Sequence, residues 1–147
     1  MSFYQNGLRF ECTRCSRCCA RAGFRVPVGL GPPRPRTSDQ FAGGRVRAGV
    51  LCSCPQQNGL RLSLKEKPNF DCIFWEPGGC RVYEARPLQC RSYPFWSDHL
   101  RTEAAWSELE ESCPGVNHGT LHPRETIDDW LRRRKLEPLL VFKREDS

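Results

Sequence analysis

The feature that most constrains this chain is the run Cys12-Thr13-Arg14-Cys15-Ser16-Arg17-Cys18-Cys19, within a total of ten cysteines in 147 residues. Two residues separate Cys12 from Cys15 and Cys15 from Cys18, a spacing at which a tight loop can aim thiolates at a common centre. Adjacent residues such as Cys18 and Cys19 tend to project their side chains in divergent directions, so the four sulfurs of this run are not expected to close one tetrahedral site alone, and one of them serves a second ion or caps the first. The remaining ligands must come from downstream. Cys72, Cys80, Cys90 and Cys113 supply them, and the eight sulfurs suffice for two four-thiolate sites or for one cluster with spares.

Soft thiolates accept zinc and iron alike. Three cysteines at two-residue gaps, with a remote Cys113-Pro114, also overlap the ferredoxin pattern, so zinc, iron and an iron–sulfur cluster all remain open as cofactors.

Composition explains why such a chain would use metal. The apolar share is 38%, with 12 glycines and 12 prolines, so a large self-sufficient core is not expected and cross-links or metals must add stability. Disulfides are the competing use of cysteine. The N-terminal residues Met1 to Phe10 contain no basic segment leading an apolar one, and no apolar stretch approaches the roughly 20 residues of a membrane span. A cytoplasmic address is therefore expected, with no membrane partner, and there structural disulfides are rare. The formal charge of +6 counts every thiol as neutral. Eight thiolates subtract eight and two zinc ions return four, leaving +2, so nucleic acid is not the expected partner. Arg14, Arg17, Arg81 and Arg91 lie beside cysteines, as local counter-charge requires.

Along the chain, Leu8 and Phe10 alternate around Arg9 as a strand feeding the ligand loop. From about 25 to 57 the sequence is rich in Gly, Pro and Arg with no helical or strand period, and poor order is expected. Leu60, Leu62 and Leu64 alternate with polar residues as a half-buried strand. Asp71 to Trp75, the turn Glu76 to Gly79, and Cys80 to Tyr83 read as a hairpin with a cysteine on each arm. Thr102 to Glu111 reads as a surface helix with Trp106 and Leu109 on its buried side, delivering Cys113. Pro123 opens a final helix to about 136, with acids early, Arg132 to Lys135 late, and Ile127, Trp130 and Leu131 as its stripe. The expected architecture is a single small, irregular α+β domain over 1–147, nucleated by metal, with short strands, ligand loops and two or three helices.

Other residues carry weaker signals. Cys15 or Cys18 beside arginine could act as an activated thiol, but there is no accompanying Cys-His-acid pattern and neighbouring thiols point to ligands. His99, His118 and His122 read as ordinary surface residues, Arg132 to Lys135 as a solvated helix end, and Trp75, Trp96, Trp106 and Trp130 as core.

Phe10-x-Cys12-x-x-Cys15-x-x-Cys18-Cys19, Asp71-Cys72-Ile73-Phe74 and Cys80-x-Val82-Tyr83-Glu84-x-Arg86-Pro87-x-Gln89-Cys90-Arg91-x-Tyr93-Pro94 together resemble the YkgJ or CxxCxxCC family of zinc- or iron-chelating proteins. The resemblance covers residues 3 to 24 and about 58 to 116. It implies that Cys12, Cys15, Cys18, Cys19, Cys72, Cys80, Cys90 and Cys113 are the ligands, with Arg86 and Arg91 at basic positions suited to neutralise thiolates. A similar cluster occurs in a longer flagellin lysine methylase. Chelation is thus implied more firmly than a reaction; an iron–sulfur or metal-dependent enzyme and a zinc-ribbon-like nucleic-acid binder are the alternatives. Between about 25 and 57 this sequence departs from the family, whose members carry an amphipathic helix there. The codons available to Pro27 through Arg36, read one nucleotide later, permit Leu-Ser-Asp-Leu-Asp-Leu-Leu-Ala-Arg, which resembles that helix. Two compensating frameshifts are the hypothesis, one that resequencing the gene tests, and Cys52 and Cys54 are on that account not counted among the ligands.

Overall fold

The computed structural model describes residues 2–19, 51–56, 59–136 and 141–142. In chain order these form β1 (Leu8–Phe10), β2 (Leu51–Gln56), β3 (Gly59–Leu64), β4 (Trp75–Glu76), β5 (Gly79–Cys80), α1 (Leu88–Ser92), α2 (Glu103–Ser107), β6 (Val116–His122), α3 (Arg124–Leu136) and β7 (Val141–Phe142). Short antiparallel strands in small sheets, with few helices and no closed barrel among the described residues, make this a small irregular α+β fold. The chain divides into two compact units, one from Met1–Cys18 and Ser92–Leu136, the other from Cys19–Arg91 and Glu137–Ser147.

In the first unit β1 pairs antiparallel with β6, Leu8 opposite His122 and Phe10 opposite Val116, with the register shifting after Arg9. Tyr4, Phe95, Leu100, Trp106, Leu109, Val116 and Ile127 form its core, and Phe10, Cys113, Trp130 and Leu131 pack against them. Phe95 stacks on Trp106 at 5.7 Å between ring centroids, and Phe10 meets Phe95 edge-on at 6.0 Å. Helix α2 begins where Thr102 Oγ1 accepts from the Ala105 amide at 3.1 Å, which satisfies one of the amides left open at a helix start. It tightens into a 3₁₀ turn over Glu108–Glu111, and Trp106 and Leu109 are buried as their spacing predicts. Helix α3 buries Ile127, with Trp130 and Leu131 packed beside it, also as expected.

The second unit holds the antiparallel sheet β2-β3-β7 and the β4-β5 pair. Leu64 and Phe74 are its buried centre, with Cys72, Ile73, Cys80, Val82 and Cys90 packed against them.

The expected strand at 60–64 is present. The hairpin is shorter than expected: Trp75 pairs with Cys80, while Cys72 lies outside β4 and bridges to Glu66. Only Cys80 is on an arm. The expectation of irregular chain through residue 57 fails for Leu51–Gln56, which pairs along β3 from Leu51 opposite Leu64 to Gln56 opposite Gly59. Pairing with an established neighbour supplies the backbone hydrogen bonds that a segment without period could not be expected to organise. The remainder of that segment, including the shifted-frame stretch at 27–36, lies outside the described residues. Strands β6 and β7 and helix α1 had no sequence signal. Strand β6 is exposed along most of its length and includes Asn117 and Gly119 at φ +63° and +71°, so it does not alternate. Helix α1 starts just after Pro87, whose carbonyl accepts from the amides of Cys90 and Arg91 at 3.0 and 3.1 Å.

Candidate metal centre

The cysteine run leaves β1 as an exposed loop. Arg14 and Ser16 have φ of +53° and +64°, the left-handed region that costs a non-glycine residue about 1–2 kcal/mol. One such residue therefore falls between Cys12 and Cys15, and one between Cys15 and Cys18. Each turns the chain sharply between successive thiols.

The run is held at both ends. At its start, the Glu11 amide donates to the Gly115 carbonyl at 3.2 Å. A Cβ on Gly115 would lie 1.9 Å from the Glu11 carbonyl oxygen, so only glycine permits this approach. At its end, the Cys19 carbonyl accepts from the Cys72 amide at 2.7 Å.

Cys12, Cys15 and Cys18 are exposed, and Cys19, Cys72, Cys80, Cys90 and Cys113 are half-buried. No disulfide joins the described cysteines. Cys113 follows the 3₁₀ turn, its amide bonded to the Leu109 carbonyl at 2.7 Å, and it packs on the first core. Burial pushes its thiol above the ordinary value of 9.0, the Gly115 amide donating to the sulfur pulls it back, and nearby Cys15 raises it again. A hydrogen bond from Tyr93 and the presence of Cys18 contribute further, in opposite senses. Two thiols of the run and two hydrogen-bonding groups thus act on the charge of Cys113. Hydrogen bonds to sulfur favour the thiolate over the thiol.

In the second unit Cys72, Cys80 and Cys90 pack against Leu64 and Phe74. The loop before Cys72 is fixed by Asn69 Nδ2 donating to Asp71 Oδ2 at 2.7 Å and the Lys67 amide donating to the Asp71 carbonyl at 2.7 Å. Among the described residues no three Cys, His, Asp or Glu side chains stand close enough together to hold a metal ion. The donor chemistry nonetheless suits one: all eight positions offer soft sulfur, the ligand type of four-thiolate zinc and of iron–sulfur clusters.

The flanking residues differ in part from expectation. Arg86 lies over the Tyr83 ring, 3.7 Å from its centroid, and donates to the Tyr83 carbonyl at 2.8 Å. Arg91 Nε donates to the Arg86 carbonyl at 3.1 Å. Of the histidines only His118 is exposed. His99 stacks on Trp96 at 5.2 Å and bonds the Pro94 carbonyl at 2.8 Å. His122 lies 5.0 Å from the Phe95 ring centroid and bonds the Phe10 carbonyl at 3.0 Å. Their aromatic character, rather than the polarity of their neighbours in sequence, decides their burial. Trp106 is buried while Trp75, Trp96 and Trp130 are half-buried. At the end of α3, Arg132 and Arg133 pair with Asp129, and Arg134 lies over Trp96 at 4.9 Å. The Cys52 thiol donates to the Leu64 carbonyl at 3.6 Å. Sequence reasoning missed the Tyr93 hydroxyl as a donor to Cys113, although Tyr93 stands in the Cys90-Arg91-x-Tyr93-Pro94 motif.

The chain is 22% identical over 120 residues to MJ0939, an uncharacterized protein of Methanocaldococcus jannaschii, a match covering 78% of this chain and 40% of that protein. The chain therefore spans less than half the length of that relative. No family model matches the chain, and no solved structure matches it. No helix among the described residues is long and apolar enough to cross a membrane.

Proposed function

We propose that this protein chelates zinc or iron through cysteine thiolates, as its resemblance to the CxxCxxCC proteins implies, and that it does so in the cytoplasm. The observation that carries the reading is the setting of Cys113. A thiol far along the chain from the first run packs half-buried on the first core, and its charge is influenced by Cys15 and Cys18 and by hydrogen bonds from the Gly115 amide and Tyr93. A thiol on an apolar core gives packing nothing that valine or leucine would not give. On balance its surroundings favour the neutral thiol; a bound metal would replace that proton, and the hydrogen bonds would then support the thiolate.

The test is metal analysis of the full chain purified without oxygen. Colourless protein with stoichiometric zinc supports the zinc form, and brown protein with visible absorption supports an iron–sulfur cluster. Protein that retains neither metal after loading, with all thiols reactive, would overturn the reading. Steeply salt-dependent DNA binding by such metal-free protein would point instead to the basic surface.

A further inference from the structure

We draw no further inference here: the strongest candidate, the exposed aromatic tip that Phe70 forms at φ +69° on the tight loop from Lys67 to Asp71, carries none, because nothing in the structure shows what covers it.

Discussion

The amide of Cys72 donates to the carbonyl oxygen of Cys19 at 2.7 Å, joining the end of the first cysteine run to the start of the second cysteine region. One such bond contributes only about 1 kcal/mol net. Its value is positional, because it fixes where the chain emerges from the run. The stability of the contact comes from what lies around it, with Phe74 buried at 1% exposure two residues further on and Asp71 held by Asn69 on the other side.

Metal removal is expected to destabilise the protein more than any single core substitution. A structural zinc ion in a small peptide is worth about 10–16 kcal/mol of apparent binding energy, and that energy is folding energy. The two apolar cores reduce the dependence, so the stripped chain should keep part of its helical signal while melting earlier and less cooperatively. Circular dichroism melts before stripping, after it, and after zinc is restored would check this, and an unchanged melt would count against any structural metal.

Gly115→Ala should destabilise the first unit by about 1–3 kcal/mol, the range for forcing atoms into filled space. The added methyl would sit 1.9 Å from the Glu11 carbonyl oxygen, so the contact must open and the start of the run must move. Denaturant midpoints measure the loss. Zinc retention by the variant should fall alongside it, because Cys12 is the next residue after Glu11.

Tyr93→Phe keeps the ring that meets Trp96 at 5.4 Å and His99 at 5.6 Å and removes only the hydroxyl directed at Cys113. Its effect on folding should stay near 1 kcal/mol. Zinc affinity should drop about tenfold or more, as for other losses of a hydrogen bond to a ligand. Competition with a zinc-binding dye reads this directly, and equal affinity in both proteins would remove Tyr93 from the site.

Tyr4 supplies a pH prediction. Burial raises its hydroxyl above the ordinary 10.0, and the hydrogen bond it donates to Asp128 at 3.1 Å adds to the rise. The folded protein therefore holds this proton more tightly than the unfolded chain, so the stabilisation is fully present below pH 10 and is lost as pH climbs through the raised value. Tyr4→Phe should cost about 1 kcal/mol at neutral pH, and the difference from the unaltered protein should shrink above pH 10. Urea denaturation of both proteins from pH 7 to 11 tests it; a constant difference would refute the assignment.

The elements legible in the sequence are those whose own side chains set the period. The Leu60 to Leu64 alternation marks a strand, and the Trp106 and Leu109 spacing and the Ile127, Trp130 and Leu131 stripe carry their burial pattern locally. Strand β6 was not legible, since Asn117 turns left-handed to accept from Trp106 Nε1 at 2.8 Å and its neighbours face solvent. Strand β2 depends on pairing with β3, and the burial of His99 and His122 depends on rings distant in sequence.

The same division runs through the cysteines. By itself the sequence determined which thiols are candidates and how tightly the first run must turn, because two-residue spacing is a property of adjacent peptide units. Only the tertiary structure decided that Cys113 packs on the first core, that Cys19 is tied to Cys72, and that Cys72, Cys80 and Cys90 share a core. Those contacts join residues far apart in the chain, and they exist only once packing against Phe95 and Trp106 in one unit, and Leu64 and Phe74 in the other, has offset the entropy of bringing them together.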